Sequence, residues 1–183
     1  MIITSGKFRG FKLKTPKGLS TRPTSSMIKQ AVFNICRNTL PGSYFLDLFA
    51  GSGAIGLEAL SEGAEFALFI ENNKLALSCI LANISSLDLK SKTRVLRDIS
   101  NLQKTNLKFD LVYIDPPYKY YDEKGFVSKI LISLMGNLQN DARIFLEAPS
   151  SKDMEIDDIK NFKLESVRKY GSSSLVIFSF CST

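Results

Sequence analysis

The sequence predicts an α/β fold built on a mostly parallel sheet. From Tyr44 onward, short apolar stretches alternate with segments whose apolar residues recur at helical spacing, which is typical of successive βαβ units. The segment 162–180 instead indicates two strands joined by a Tyr-Gly-Ser turn at 170–172, and this predicts an antiparallel edge. A length of 183 residues, 44% of them hydrophobic, is typical of one globular domain with at most a small appendage.

Each predicted strand is a short apolar run bounded by polar or turn residues, and each predicted helix is a longer amphipathic segment between two strands. The predicted strands are Tyr44–Leu48, Phe66–Ile70, Thr93–Leu96, Phe109–Ile114 and Ala142–Glu147. The predicted helices are Ala54–Ser61, Lys74–Leu87 and Gly125–Met135. Because ligands of such sheets bind outside the carboxyl ends of the strands, we expect the functional residues there.

The first 42 residues form a predicted basic extension, and residues 43–183 form the main domain. Residues 1–17 alternate apolar pairs with basic residues and glycines, which predicts a small hairpin. Apolar residues at helical spacing then predict a helix from Met27, with Lys29 and Arg37 on its solvent-exposed face. The first 40 residues carry a net charge of +8, whereas the other 143 carry −2. Such local charge suits a phosphate backbone, although a solvated arm that maintains solubility explains it equally well.

The composition excludes several kinds of chemistry. The chain has no histidine, which excludes Ser-His-Asp catalysis and zinc sites with a histidine ligand. Its three cysteines, Cys36, Cys79 and Cys181, are widely spaced, so we expect neither a disulfide framework nor a metal site. A reducing cytoplasm is the expected location. No segment reaches the length of a signal peptide or a membrane span, so we expect no membrane partner.

A glycine-rich turn follows the first predicted strand. The sequence Asp47-Leu-Phe-Ala-Gly51-Ser-Gly53-Ala-Ile-Gly56 passes from a strand through glycines into a helix. Glycines let a ligand approach the backbone closely, and the helix N-terminus favours a negatively charged group. The same Gly51-x-Gly53-x-x-Gly56 pattern also fits a dinucleotide site, so the turn alone does not identify the ligand.

Acidic residues end the next two predicted strands. Glu71 lies 20 residues after Gly51, where an acid can accept both hydroxyls of a ribose. A helix-capping role for Glu71 explains its position equally well. Asp98 ends the third strand and could bind an adenine amino group, although an Asp beside Ser100 is also ordinary turn chemistry.

The fourth predicted strand ends in Asp115-Pro116-Pro117-Tyr118. The prolines have no N–H and present only carbonyls, so with the Asp115 carboxylate they make a wall of hydrogen-bond acceptors. An amine, which is a donor, suits this wall, and Tyr118 offers a flat face for a nucleobase. A proline stop after a buried strand explains the prolines but leaves the acid without a role.

Together, these motifs resemble the class I methyltransferases that use S-adenosylmethionine, in the branch that methylates exocyclic amines through an (Asp/Asn)-Pro-Pro-(Tyr/Phe/Trp) motif. Gly6-Lys-Phe-Arg9-Gly10, Arg22-Pro23-Thr24 and Gly56-Leu-Glu-Ala-Leu60 extend the resemblance to the RsmD family over nearly the whole chain. Members of this family methylate N2 of a guanine in bacterial small-subunit (16S) ribosomal RNA. The resemblance implies a Rossmann-like sheet, S-adenosylmethionine as cofactor, no metal, and ribosomal RNA in an assembled or assembling small subunit as partner.

The resemblance also implies roles for individual residues. The implied catalytic residues are Asp115, Pro116, Pro117 and Tyr118. The implied cofactor-binding residues are Asp47, Phe49, Ala50, Gly51, Ser52, Gly53, Glu71, Asn72 and Asp98. The implied RNA-binding residues are Lys7, Arg9, Lys12, Lys14, Arg22, Thr24 and Lys29. The chain departs from the family pattern at Ser26, Met27 and Gln30, where members commonly have an acid, a basic residue and Glu.

Three other functions are consistent with parts of the pattern. A nicotinamide-dependent oxidoreductase would use the glycine turn and Glu71, but it would give Asp115 and the prolines no role. A DNA or RNA adenine-N6 methyltransferase would use the same acceptor wall. A non-catalytic RNA-binding module would need only the basic extension.

Overall fold

The structure is a computed structural model that describes residues 1–16, 26–151 and 159–182. Within these ranges, seven strands form one sheet, and four α-helices cover it. The strands are β1 (Tyr44–Leu48), β2 (Phe66–Ile70), β3 (Thr93–Leu96), β4 (Phe109–Ile114), β5 (Leu138–Pro149), β6 (Phe162–Tyr170) and β7 (Ser173–Phe180). The helices are α1 (Ser26–Cys36), α2 (Ala54–Ser61), α3 (Lys74–Ser86) and α4 (Phe126–Leu134).

The strand order places a topological switch point in the middle of the sheet. The order is β3-β2-β1-β4-β5-β7-β6, with β1 to β5 parallel and β7 antiparallel between β5 and β6. The direction of winding reverses between β1 and β4, so their carboxyl ends open a crevice. The predicted fold is thereby confirmed, including the antiparallel edge.

Successive side chains along each central strand point to opposite faces of the sheet, and each face is covered by helices. Phe45, Phe69 and Tyr113 pack in one core cluster with residues of α1, α2 and α3. Leu46 and Val112 point the other way and pack with α4 in a second cluster. Because side chains of a strand alternate between faces, apolar runs such as Phe-Leu-Asp-Leu are needed where both faces are covered.

The amino-terminal segment packs onto α2 and joins the first core cluster through Ile3 and Leu13. Gly6 has φ +74°, and a Cβ built there would lie 1.9 Å from the Ser61 carbonyl oxygen, so only glycine permits this approach. Ile2 and Lys12 form an antiparallel bridge, but no strand forms among residues 1–16. The predicted hairpin is therefore reduced to a looped turn.

Lys29 was predicted on the exposed face of its helix, but the structure buries it. Its Nζ lies 2.6 Å from Glu58 Oε2, and the two side chains are 10% and 1% exposed. Burial raises the pKa of Glu58, but hydrogen bonds from Lys29 and Thr4 outweigh this effect and lower the pKa overall. Lys29 therefore neutralises a buried carboxylate between α1 and α2. Its prediction as an RNA-binding residue is wrong, because its side chain is buried in this ion pair.

The predicted element boundaries are close to those observed. The bounds of β1 to β4 and α2 are as predicted, whereas β5 begins earlier and ends two residues later than expected. At its start, Leu138 is buried and pairs with Phe109 of β4, and polar residues 139–141 follow it. At its end, the two additional residues, Ala148 and Pro149, pair with Ser174 and Ser173 of β7. None of the helices in the described residues is long and apolar enough to cross a membrane.

Candidate active site

A cavity of about 790 Å³ lies at the carboxyl ends of β1, β2, β4 and β5. Its lining combines the glycine turn, the acids at strand ends and the Asp-Pro-Pro-Tyr sequence with part of the amino-terminal segment. The lining includes Asp47, Phe49, Ala50, Gly51, Ser52, Glu71, Asn72, Asp115, Pro116, Pro117, Tyr118 and Glu147. The cavity therefore brings together residues that are as far apart in the sequence as Met1 and Glu147.

The glycine turn adopts a conformation that the sequence explains. Gly51 and Gly53 have φ +57° and +78°, in the left-handed region that glycine occupies at little cost. Gly53 lies at the start of α2, where no side chain caps the helix. Phe49 shares the left-handed conformation at φ 59°, and its ring packs 5.7 Å from that of Tyr120. The turn thus brings Gly51, Ser52 and the first residues of α2, Ala54 and Ile55, to the cavity.

Asp47 is buried beneath this turn, with 2% of its surface exposed. Its Oδ2 accepts a hydrogen bond of 2.9 Å from the Gly56 backbone N–H. Burial raises the pKa of the Asp47 carboxyl from 3.8 to about 7, with a smaller contribution from the nearby Glu71 charge, against the lowering effect of the Gly56 hydrogen bond. A cationic group bound beside Asp47 would favour the ionised form.

Glu71 connects the glycine turn to the end of β2. Its Oε2 accepts from the Gly51 N–H and its Oε1 from the Asn73 N–H, each at 2.8 Å. An ionised carboxylate has about four acceptor positions, so these two bonds leave capacity for ligand hydroxyls. Capping of α3 falls to Asn73, whose side chain accepts from the N–H groups of Leu75 and Ala76. Glu71 is therefore not the cap that the alternative interpretation required.

The Asp-Pro-Pro-Tyr sequence forms the opposite wall. The Asp115 N–H donates to the Leu48 carbonyl at 3.3 Å, which joins the ends of β4 and β1 across the switch point. The Tyr118 hydroxyl lies 2.8 Å from Ser173 Oγ at the start of β7. This bond fixes the outer end of the Tyr118 side chain, which lines the cavity.

Glu147, near the end of β5, lines the cavity and was not predicted from the sequence. It is 4% exposed, and its Oε2 accepts from the Tyr113 hydroxyl at 2.8 Å. An acid in the last part of a predicted strand was the available signal. It carried little weight in the sequence because nothing beside it suggests a turn or a ligand.

The amino-terminal segment supplies a second group of lining residues that the sequence analysis missed. Met1, Thr15 and Pro16 reach the cavity. Asn83 of α3 holds this segment in place, since its Nδ2 donates to the carbonyls of Lys14 at 3.0 Å and Ser52 at 3.1 Å. The Asn83 side chain therefore connects the basic extension to the glycine turn.

The remaining site predictions divide into three groups. Asp98 does not line the cavity, and its Oδ1 accepts from the Ser100 N–H at 2.7 Å, as the turn interpretation requires. Its contact with an adenine amino group stays a prediction. Gly53 is also absent from that lining and acts through the shape of the turn. Arg22 and Thr24 lie outside the described residues. Within the described ranges, no group of three or more Cys, Asp or Glu side chains could hold a metal.

The strand order, the glycine turn and the carboxylates at strand ends define a class I S-adenosylmethionine-dependent methyltransferase. A family model described as Conserved hypothetical protein 95 matches residues 1–179. The chain belongs to this family, which is the RsmD family indicated by its motifs.

Individual relatives agree with this assignment over most of their length. The Ribosomal RNA small subunit methyltransferase D of Escherichia coli (strain K12) is 31% identical, over 80% of this chain and 73% of that protein. The protein of the same name from Buchnera aphidicola subsp. Baizongia pistaciae is 30% identical, over 91% and 85% respectively. The solved structure of yhhF from Escherichia coli has a TM-score of 0.85 and 28% identity, covering 100% of this chain and 99% of that one.

Proposed function

We propose that this protein transfers a methyl group from S-adenosylmethionine to the exocyclic N2 amine of a guanine in 16S ribosomal RNA of the small subunit. The observation that carries the proposal is the position of Asp115, Pro116, Pro117 and Tyr118 in the same cavity as the glycine turn and Glu71. An amine held at the first group would lie beside a nucleoside-type cofactor held at the second.

The residues on the β1 and β2 side suit the cofactor. Glu71 has the acceptor capacity for the two ribose hydroxyls, and Gly51 allows the backbone to approach the ligand. The buried Asp47 carboxylate complements the cationic methionine end. When bound, S-adenosylmethionine supplies an electrophilic methyl group on a sulfonium.

The β4 side suits an amine nucleophile. The guanine N2 lone pair is delocalised into the ring, so the amine reacts poorly until it is oriented. Hydrogen bonds from this amine to the Asp115 carboxylate and the Pro116 carbonyl would direct its lone pair at the methyl group, and orientation is a large source of rate. As the new N–C bond forms, the bond between the methyl group and the sulfonium sulfur breaks, and the thioether is the leaving group. The nitrogen becomes acidic and releases a proton to Asp115 or to water. No histidine base is needed.

The target base must leave any helical stack to reach this amine site. Tyr118 would receive one face of the base, and its bond to Ser173 keeps the ring in position. Stacking of a base on an aromatic side chain contributes on the order of 1–3 kcal/mol. The aromatic ring at the rim therefore stabilises the extruded base.

The basic extension would bind the phosphate backbone. Lys7, Arg9, Lys12 and Lys14 are exposed, and they come from the segment that also reaches the cavity through Thr15 and Pro16. Phosphate contacts position a nucleic acid without reading its sequence. We extend this RNA-binding role to Arg22 and Thr24 from the family motif, and a ribosomal substrate implies a cytoplasmic location.

An adenine-N6 methyltransferase is the second candidate, because an adenine amine can donate to Asp115 and the Pro116 carbonyl in the same way. A non-catalytic RNA-binding module accounts less well for the cavity, since it gives the buried Asp47 and the amine wall no role.

The test is transfer of a labelled methyl group from S-adenosylmethionine to small subunits that lack native methylation, compared with naked 16S RNA and duplex DNA. The RNA or DNA is then digested, and the labelled nucleoside is identified. N2-methylguanosine from a ribosomal substrate is the expected product. N6-methyladenine, or no transfer while the cofactor binds, would contradict the proposal.

A further inference from the structure

One carboxylate in the cavity has no part in the mechanism above. Glu147 follows Leu146, which pairs with Ile114 of β4, so Glu147 and Asp115 follow neighbouring positions on adjacent parallel strands. Both residues line the cavity, and Glu147 is almost completely buried. The amine wall therefore contains a second carboxylate beside Asp115.

Two tyrosines hold Glu147 in place. The Tyr113 hydroxyl donates to Glu147 Oε2 at 2.8 Å, and the Tyr121 hydroxyl donates to the Glu147 backbone carbonyl at 2.6 Å. Burial raises the pKa of Tyr121, and the charges of Asp115 and then Glu147 raise it further, so both carboxylates lie close to the same phenol. A buried acid fixed at its side chain and its backbone can position a hydrogen bond to a ligand.

The acceptors of this wall match the edge of one nucleobase. The N2 amine of guanine is adjacent to the N1–H, so its edge presents neighbouring donors. The amine of adenine is adjacent to an unprotonated N1, and the amine of cytosine is adjacent to an unprotonated N3. Adenine and cytosine would therefore each place an unprotonated ring nitrogen, which is an acceptor, against a carboxylate. A buried pair of acceptors leaves both groups without a hydrogen bond, which is unfavourable.

We propose that Glu147 accepts a hydrogen bond from the N1–H of the substrate guanine while Asp115 and the Pro116 carbonyl hold its N2 amine. Glu147 is then the residue that selects guanine over purines that lack the N1 hydrogen. This inference rests on the proposed function and adds a base-reading residue to it.

The first arm of the test uses the unmodified enzyme. Ribosomal RNA is assembled by splinted ligation with either guanine or 2-aminopurine at the mapped target position. 2-Aminopurine keeps the amine at position 2 but has no hydrogen on N1. Because a site built to bond a donor rejects an analogue that lacks it, we expect kcat/KM to fall about 10- to 100-fold for 2-aminopurine.

The second arm uses Glu147→Gln. The glutamine carbonyl can still accept from the Tyr113 hydroxyl, while its amide N–H can donate to the unprotonated N1 of 2-aminopurine. Rotated by 180°, the amide instead presents its carbonyl to the N1–H of guanine, and the Tyr113 hydroxyl oxygen then accepts from the amide N–H. Because each purine can then find a partner for N1, we expect the ratio of kcat/KM for guanine to that for 2-aminopurine to fall to within about threefold of unity. Affinity for S-adenosylhomocysteine, measured by calorimetry, should be unchanged. Glu65→Gln, an exposed residue paired with Lys92, is the matched control and should keep the original ratio.

Two results would overturn the inference. Equal methylation of both purines by the unmodified enzyme would do so without any variant, and this arm still decides if Glu147→Gln fails to fold. An equal loss of activity on both purines in Glu147→Gln would assign Glu147 a structural role. Failure of the proposed function is distinct, because the unmodified enzyme would then yield a labelled nucleoside other than N2-methylguanosine.

Discussion

The two halves of the cavity are held together differently. On the cofactor side, backbone N–H groups of Gly51 and Gly56 donate to the carboxylates of Glu71 and Asp47. On the substrate side, tyrosine hydroxyls connect Tyr113 to Glu147 and Tyr118 to Ser173. The first arrangement depends mainly on turn geometry within one βαβ unit, whereas the second depends on contacts between distant strands. The cofactor side, which we call the backbone cradle, is therefore shaped mainly by backbone hydrogen bonds of the glycine turn. The substrate side is shaped mainly by side chains, which single substitutions can change.

The largest expected effect is on the substrate side. Asp115→Ala removes the carboxylate acceptor for the amine, so methyl transfer should fall on the order of 1,000-fold. Affinity for S-adenosylhomocysteine should stay within about twofold of the original, because this variant leaves the backbone cradle intact. Single-turnover transfer and calorimetry measure the two quantities.

Asp115→Asn is the matched control, because its amide oxygen still accepts from an amine. It should retain more activity than Asp115→Ala. A parallel loss of cofactor binding in Asp115→Ala would show that the two halves are not separable.

The next effect tests the cofactor side. Glu71→Gln replaces one acceptor oxygen by a donor that faces the N–H of Gly51 or Asn73, so affinity for S-adenosylhomocysteine should fall about 10- to 100-fold. With saturating cofactor, the turnover rate should recover substantially. Glu165→Gln on β6 is the control and should leave the affinity unchanged. A loss of turnover that saturating cofactor does not restore would instead place Glu71 in the chemical step.

Asp47 gives a pH-dependent test of the same side. Its folded pKa of about 7 lies above the ordinary value of 3.8, so its stabilising contribution is complete below pH 3.8 and is lost as the pH rises through 7. Asp47→Asn removes this titration. The free energy of unfolding of the cofactor-free variant, relative to the original protein, should therefore rise by about 2 kcal/mol between pH 5 and pH 8.

Denaturant unfolding at several pH values measures this difference, and Asp141→Asn at an exposed position serves as the control. A difference that stays constant from pH 5 to pH 8 would rule out a raised pKa at Asp47.

The smallest expected effect concerns the rim tyrosine. Tyr118→Phe keeps the ring and removes only the hydrogen bond to Ser173, so KM for the RNA should rise about two- to fivefold. Ser173→Ala should have a similar effect, and the double variant should be no worse than either single variant. Additive losses in the double variant would mean that the two groups act separately.

The same contrast explains what the sequence could predict. The glycine turn, Glu71 and Asp115 belong to short contiguous patterns at strand ends, and the structure brings Gly51, Glu71 and Asp115 to one cavity. Glu147 and the Met1, Thr15 and Pro16 wall depend on strand pairing and on Asn83, which sequence spacing does not reveal.

Lys29 was predicted wrongly for a related reason. Its place among exposed basic residues suggested RNA contact, but the position of its partner Glu58 on α2 follows only from the packing of α1 against α2.

A crystal structure with S-adenosylhomocysteine would test the division of the cavity most directly. We predict that the ribose hydroxyls lie within hydrogen-bonding distance of the Glu71 carboxylate and that the sulfur faces the side of the cavity formed by Asp115 and Tyr118. A ligand whose ribose lies against Asp115, or whose sulfur faces away from it, would contradict this division of the cavity into a cofactor side and a substrate side.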